Sequence, residues 1–392
     1  MGLLTLHGRP KSRVMKHVAI LQEYVPSYRV PFFRALSDKA LSVGVRVEVH
    51  AGRPIGDQAL RGDDAGEQTK ARHMPQRELS ACGRRVTLRS LTSLPNDLDL
   101  VVLEQARRNL DTYRLLLPRR MWHGQRVALW GHGRDYVKKE RALDSAILAR
   151  LTSRADHFFA YTRQGAEHVI AQGRRRETVT VVRNSVDTQA LQADLAAVSA
   201  EDVRQFQHHH GLTGKTLLYL GGLDRSKRIE FLLDAFARAH SADPDIRLLV
   251  VGDGDQREIV SGRPGVVPLG RLTGRDKSLA MRAANAIANP GRVGLVAVES
   301  IIAELPLLTA DGAMHAPEFD YLEELGAVLQ SPNSPHAYAS LLAAGAGTGD
   351  PALRPVQDRL RGPRPTFGIE SMADNFLEGI LLAIRNTGAS HE

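Results

Sequence analysis

Leu217-Leu218-Tyr219-Leu220-Gly221-Gly222-Leu223-Asp224-Arg225-Ser226-Lys227-Arg228 is an apolar run that ends on two glycines and a basic loop. The residues after it, Ile229–His240, carry apolar side chains at helical spacing. Strand, glycine turn and helix in that order belong to doubly wound α/β sheets, where ligands bind outside the carboxyl ends of the strands. The glycines let the backbone approach a ligand, and a basic loop with a helix N-terminus supplies positive potential for a pyrophosphate. An ordinary strand-to-helix turn with solvated basic residues would read much the same, so the stretch decides the fold class before it decides a ligand.

Working outward, short runs of Val, Ile and Leu recur on both sides. In the first half, strands are expected at His17–Leu21, Val45–His50, Leu98–Leu103, Arg126–Trp130, His157–Tyr161 and Val179–Val182, with helices such as Pro31–Val43 and Val137–Arg154 between them. Thr216–Leu220 is followed by Arg247–Val251, Val266–Leu269, Ala286–Asn289, Leu307–Thr309 and Ala327–Leu329. A polar helical stretch, Asp187–Gly214, separates the two sets. The expected architecture is therefore two Rossmann-like doubly wound domains facing across a cleft, at 16–190 and 198–365, after a disordered leader at 1–15. Asp350–Thr366, with four prolines, closes the periodic region, and Ile369–Arg385 is an amphipathic helix with Met372, Phe376, Ile380 and Leu381 on one face.

A chain of 392 residues that is 43% hydrophobic and 24% charged is neither a single small module nor mainly disordered. Lys and Arg number 52 against 44 Asp and Glu, and the excess is uneven: residues 1–196 hold 33 basic and 20 acidic side chains, the remainder 19 and 24. Such a basic half suits nucleic acid or an anionic membrane. With aromatics at 5% and no binding motif, nucleic acid is not expected. The single cysteine, Cys82, excludes an internal disulfide framework and a cysteine-rich zinc site, which points to a reducing compartment. No run approaches the ~18 apolar residues of a membrane span. A cytoplasmic protein is expected, either soluble or peripheral on the inner face of the plasma membrane.

Several superficial motifs carry nothing. Gly211-Leu212-Thr213-Gly214-Lys215-Thr216 lacks the first glycine of a phosphate-binding loop, which falls on His209, and its strand follows the motif instead of preceding it. His208, His209 and His210 point in different directions on a helix, and no metal is expected. The absence of a full Gly-x-Gly-x-x-Gly after the first strand disfavours a nicotinamide enzyme. More informative is Ala288-Asn289-Pro290-Gly291-Arg292-Val293-Gly294-Leu295, which leads through Val296–Glu299 into the helix-like Ser300–Glu304. A strand, a glycine turn and a helix start form an anion site. On spacing alone, the positive end of a helix dipole explains Glu299 better than sugar hydroxyls do.

Taken with Val250-Val251-Gly252-Asp253-Gly254, these segments resemble the C-terminal half of glycosyltransferase family 4, retaining nucleotide-sugar enzymes of the GT-B fold. The resemblance implies that Gly221, Gly222, Arg225 and Lys227, with Arg292 and the helix start at Gly294 and Leu295, bind the donor diphosphate, Lys227 being the main cation. It implies that Glu299 binds the ribose hydroxyls, that the backbone of Gly270, Arg271 and Leu272 receives the base, and that residues 366–392 cross back onto the N-terminal domain. Two positions depart from the family. Its arginine after the first loop glycine is Gly222 here, for which Arg225 is the expected substitute, and the first of its paired glutamates is Gly291. Pro290-Gly291-Arg292-Val293-Gly294-Leu295 is similar instead to a surface-glycan and polysaccharide subgroup. Tyr24-Val25-Pro26-Ser27-Tyr28-Arg29-Val30-Pro31-Phe32-Phe33 and Trp130-Gly131-His132-Gly133-Arg134 look like that subgroup's N-terminal motifs, and imply Tyr28, Arg29, His132 and Arg134 on the acceptor side. Asn184-Ser185-Val186-Asp187 and His315-Ala316-Pro317-Glu318 resemble two further elements.

The expectation that follows is a metal-independent hexosyl transfer (EC 2.4) with retention, from a UDP-, GDP- or dTDP-linked sugar to a glycan, lipid-linked or small-molecule acceptor, with no cofactor. Lys227, Glu299 and His132 would form the catalytic set, His132 positioning the sugar or its phosphate. Arg119, Arg120, Lys138, Lys139 and Arg141 are candidates for contact with an anionic membrane. The alternatives are a catalytically impaired GT-B nucleotide-sugar-binding protein, or a GT-B-like sugar-nucleotide epimerase.

Overall fold

The computed structural model describes residues 15–81, 84–117, 125–134, 142–347, 349–351, 353–363 and 366–385. Cys82, Arg119, Arg120, Lys138, Lys139, Arg141 and the expected leader, apart from Met15, lie outside them.

The first half holds strands β1 (Lys16–Gln22), β2 (Val45–Ala51), β3 (Arg72–His73), β4 (Gln76–Ala81), β5 (Arg84–Arg89), β6 (Leu100–Glu104), β7 (Arg126–Gly131), β8 (His157–Ala160) and β9 (Val179–Val181). Its helices are α1 (Val30–Ser42), α2 (Leu110–Leu116), α3 (Ala142–Arg154) and α4 (Arg163–Ala171). Seven strands form a parallel sheet in the order β3-β2-β1-β6-β7-β8-β9, and β4 pairs antiparallel with β5 as a separate hairpin. Helices α5 (Thr188–Ala196) and α6 (Ala200–His209) lead to the second half. There the strands are β10 (Thr216–Leu220), β11 (Arg247–Val251), β12 (Val266–Gly270), β13 (Ala286–Ala288), β14 (Leu307–Ala310) and β15 (Leu329–Ser331), in the parallel order β12-β11-β10-β13-β14-β15. The helices around them are α7 (Ile229–Ala242), α8 (Gly274–Arg282), α9 (Val296–Ala303), α10 (Asp320–Glu324), α11 (Pro335–Ala346) and α12 (Arg354–Arg361), and the chain closes with α13 (Ile369–Arg385).

The strands read as continuous apolar runs because both faces of each sheet are covered. Val18 and Ile20 of β1 enter one buried cluster while Ala19 and Leu21 enter the cluster on the opposite face. Leu218 and Leu220 of β10 divide in the same way from Leu217 and Tyr219. This is the expected doubly wound, two-domain α/β architecture. Helix α13 leaves the second half and packs on the first: Phe376 stacks on Phe159 at 4.2 Å between ring centroids and meets Trp130 edge-on at 5.1 Å.

Four features differ from the sequence expectation. Strand β3 has two residues and β4–β5 is polar, with Leu79 half-exposed, so neither shows a core-facing alternation. The last strand is Leu329–Ser331, not Ala327–Leu329. Helix α9 begins at Val296, earlier than Ser300. The proline-rich region holds α12, because Pro355 occupies the first turn, where a missing N–H is harmless. In α6 no side chain is buried, and among the described residues no group of three His, Cys, Asp or Glu side chains is arranged to hold a metal.

Candidate functional site

At the carboxyl end of β10 the chain turns across the end of β11. The Gly221 N–H donates to the Val251 carbonyl at 3.0 Å and the Leu223 N–H to the Asp253 carbonyl at 2.9 Å. Asp224 holds the basic loop by accepting from the Ser226 N–H at 2.8 Å and the Ser226 hydroxyl at 2.5 Å. Gly222 and Arg225 are exposed, and Lys227 is half-buried. Beyond β11, Gly270 accepts from the Gly252 N–H at 2.8 Å, and a small hollow opens between Leu223, Gly252, Pro268 and Gly270. Leu272 is half-buried and Arg271 exposed.

The turn after β13 lies against this loop. The Arg292 N–H donates to the Ser226 carbonyl at 2.9 Å, and Lys227 Nζ donates to the Arg292 carbonyl at 2.5 Å. Burial pushes the Lys227 ammonium below the usual lysine range, with nearby Arg292 adding to the effect and Asp224 and Glu318 opposing it. Gly294 and Leu295 precede α9 and cap its first turn, their carbonyls accepting from the Ala297 and Val298 N–H groups at 2.9 Å, so the positive end of the helix follows directly on the Arg292 turn. The expected diphosphate residues thus occupy one place.

Glu299, in the first turn of α9, has a partner that no motif announced: its Oε1 is 2.8 Å from Lys277 Nζ of α8. Both groups are largely buried, at 15% and 22% side-chain exposure, which makes the pair stiffer than a surface ion pair. A ribose hydroxyl bonded to Glu299 would share the carboxylate with this lysine.

Across the cleft, His132 follows β7. A Cβ on Gly133, at φ 81°, would lie 2.5 Å from the Gly165 carbonyl oxygen, so only glycine lets the chain turn there against α4. The His132 ring meets the Tyr161 ring edge-on at 4.7 Å. Arg134 is exposed near Gln164. Arg29 differs from the acceptor-contacting role that the resemblance implies. It is buried, donates to Gln22 and, at 2.6 Å, to the Tyr161 hydroxyl, and lies 4.2 Å over the Trp130 ring. Burial alone would lower its pKa, but Tyr161, Tyr28 and Glu104 raise it. Arg29 therefore reaches His132 through Tyr161, while Tyr28 is half-exposed and its hydroxyl accepts from Arg29 Nε at 3.2 Å.

The sequence reading missed Glu23 and Glu104, at the carboxyl ends of β1 and β6. These neighbouring strands flank the point where the sheet order reverses, the usual ligand position in such sheets. The Glu23 N–H donates to Glu104 Oε2 at 2.8 Å, and the buried Glu23 carboxylate meets Arg108 at 2.6 Å and Arg85 at 2.8 Å. Burial would raise Glu23, but Arg108, Gln58 and Arg85 hold it low; burial and the Glu23 charge push Glu104 up. A strand-end alternation of charge with no spacing signature gave no signal for this pair.

The domains meet at Tyr321, whose hydroxyl lies 3.1 Å from the Tyr161 carbonyl and 3.0 Å from the Asn184 carbonyl. Thr162 donates to Asp320 at 2.6 Å and Asn184 to Glu318 at 2.6 Å.

Residues 214–344 match the family model described as "Glycosyl transferases group 1". A phosphatidyl-myo-inositol mannosyltransferase of Mycobacterium leprae is 34% identical over 107 residues, which are 25% of this chain and 29% of the relative. The corresponding Mycobacterium tuberculosis protein is 32% identical over 108 residues, 25% and 28% of the two chains. The chain thus spans under a third of the curated relatives it matches. Among solved structures, a glycosyltransferase of Rickettsia africae aligns with 95% of this chain and 100% of its own at TM-score 0.66 and 12% identity. Anabaena HepE in complex with UDP aligns over 94% and 100% at 0.61 and 16%. A Listeria monocytogenes protein described as a UDP-N-acetylglucosamine 2-epimerase aligns over 97% and 99% at 0.62 and 13%. The fold is GT-B along nearly the whole chain, and the likeness to glycosyltransferase family 4 read from the motifs is matched by the family model and the curated relatives.

Proposed function

We propose that the protein is a retaining glycosyltransferase that moves a hexosyl group from a nucleotide-sugar to an acceptor hydroxyl. The observation that carries this reading is the Lys227–Arg292 contact, which packs the two anion-binding turns of the second sheet together at the mouth of α9. As the bond to the diphosphate breaks, negative charge builds on its oxygens. In this reading Lys227, released from the Arg292 carbonyl, and the positive end of the α9 dipole meet that charge, where partial burial makes them more effective than in water. Arg225 can reach the diphosphate from the exposed face of its loop. Glu299, steadied by Lys277, takes the ribose, and the hollow beside Gly270 the base. His132, set by Tyr161 and Arg29, positions the transferred group or its phosphate. The protein's own cations meet the charge in this scheme, so turnover is expected to persist in EDTA, and no cofactor takes part.

The curated relatives are named for mannosyl transfer to phosphatidyl-myo-inositol, which supports GDP-mannose as the first donor to try and a lipid-linked acceptor. No helix among the described residues is long and apolar enough to cross a membrane, so such an acceptor would be met at the membrane surface, by the basic first half on the inner face of the plasma membrane. Glycan and small-molecule hydroxyls are the other acceptor classes.

The test is a thermal-shift screen against UDP-, GDP- and dTDP-sugars, since a ligand at 100 times its Kd stabilises by about 2.7 kcal/mol. A shift with one nucleotide class, followed by acceptor-dependent release of its diphosphate, supports transfer. Interconversion of the sugar without an acceptor would favour an epimerase, binding without reaction an impaired enzyme, and no shift with any donor would sink the proposal.

A further inference from the structure

The segment His315–Glu318 has no part in the scheme above, yet it places a carboxyl with 4% exposure at the contact between the two domains. Its Oε1 accepts from Asn184 at 2.6 Å, and its Oε2 faces the turn before α9, where a Cβ built on Gly294 would stand 4.0 Å away. Burial pushes this carboxyl up, while Asn184, its own backbone N–H, Arg292 of the second domain and Arg29 of the first pull it down. Glu318 is thus the group on which the charges of both halves converge.

Two buried polar atoms beside it have no hydrogen-bond partner among the described residues: Asn184 Oδ1 and His315 Nε2. His315 is stacked on Phe319 at 3.8 Å, and its Nδ1 accepts from the Val293 N–H at 3.3 Å. An Nδ1 that accepts leaves the proton of the neutral ring on Nε2, which becomes a buried donor without an acceptor. Burial, with Arg292 and Lys227 nearby, brings His315 down to about 4, so the ring is neutral at physiological pH. Buried donors and acceptors are normally paired. Asn184 is bonded to Glu318, and His315 lies three residues before Glu318, so the unmet amide oxygen and N–H belong to one cluster with the carboxyl, a set that matches a ligand rich in hydroxyls.

We propose that Glu318, Asn184 and His315 form the subsite for the polyhydroxylated group carried on the diphosphate. Glu318 and Asn184 Oδ1 accept from its hydroxyls, and His315 Nε2–H donates to a hydroxyl or to the adjoining phosphate oxygen. The inference rests on the donor reading, and adds that the carboxyl absent at Gly291 is replaced from the loop after β14.

Titration of the full chain with UDP-glucose, GDP-mannose and dTDP-glucose, each beside its free diphosphate, tests it. Glu318→Gln keeps the shape and can still accept from Asn184. The expected result is at least tenfold weaker binding of the sugar nucleotide that the wild type prefers, with the free diphosphate within twofold. His315→Phe keeps the ring stack and should show the same split, which covers failure of the first variant to fold. Equal losses for both ligands, or none, overturn the inference alone. If the wild type binds none of the six ligands, the donor reading fails and this one with it.

Discussion

The backbone carbonyl of Lys227 fills the space where a side chain at Gly291 would begin: a Cβ there would lie 2.3 Å from both its carbon and its oxygen. The departure from the paired-glutamate pattern is therefore built into the packing of the turn after β10 against the turn after β13. Gly291→Ala is expected to separate them, lowering stability by about 1–3 kcal/mol and weakening nucleotide binding. Gly291→Glu should be worse, not a restoration. Urea denaturation and nucleotide titration of both variants check this.

Lys227→Ala and Glu299→Ala should leave the protein folded and reduce donor affinity or turnover sharply. Lys277→Met is the more pointed variant, since it leaves the Glu299 carboxylate without its cation. A charged hydrogen bond of this kind contributes about 1.5–3 kcal/mol, so a roughly tenfold or greater loss in nucleotide affinity is expected by calorimetry. An unchanged Kd would mean that Glu299 does not touch the nucleotide.

Tyr161→Phe removes the acceptor of Arg29 and leaves a buried guanidinium N–H unmet. The expected loss is about 1–3 kcal/mol of stability, with turnover falling because the His132 ring packs on Tyr161, and donor affinity unchanged. Steady-state kinetics beside donor titration separate the two effects.

Burial lifts Asp320 to about 6, with Glu323 and Glu324 adding to the effect and Thr162 and Arg134 opposing it, against an ordinary value of 3.8. Between those values the folded protein keeps a proton that the unfolded chain has lost. Stability therefore falls as pH rises from about 4 to 6, and the full cost remains above 6. Asp320→Asn keeps an acceptor for Thr162 and should stabilise the domain contact at pH 7.5 by roughly 1–3 kcal/mol, the gain fading below pH 5. Denaturation at the two pH values measures it.

The sheets were legible because each central strand is buried on two faces, which leaves runs such as Leu217–Leu220 with no polar interruption. The glycine turn and basic loop were legible for a related reason: Gly221 to Lys227 follow their strand directly, so sequence order equals spatial order. Lys277 was not, because it reaches Glu299 from another helix, 22 positions away, and a lone lysine on an amphipathic helix looks solvated. Arg29 was placed on the acceptor side by the resemblance of its motif, and a motif does not show burial: the guanidinium lies over Trp130, on a strand far along the chain. The aromatic cluster around Trp130 depends in turn on α13. The Glu23–Glu104 pair joins two strand ends whose adjacency appears only once the sheet order is known.

That dependence on α13 reaches into how the protein is made. Phe32, Trp130 and Phe159 pack around Phe376, so the first domain is closed by residues synthesised after the whole of the second. Until then its aromatic face is open to water and to other chains, whereas the second domain already has its own strands and helices. The earlier of the two domains is thus the one that finishes folding later, and a ribosome stalled before residue 369 would hold a second domain ready to fold beside a first domain still exposed.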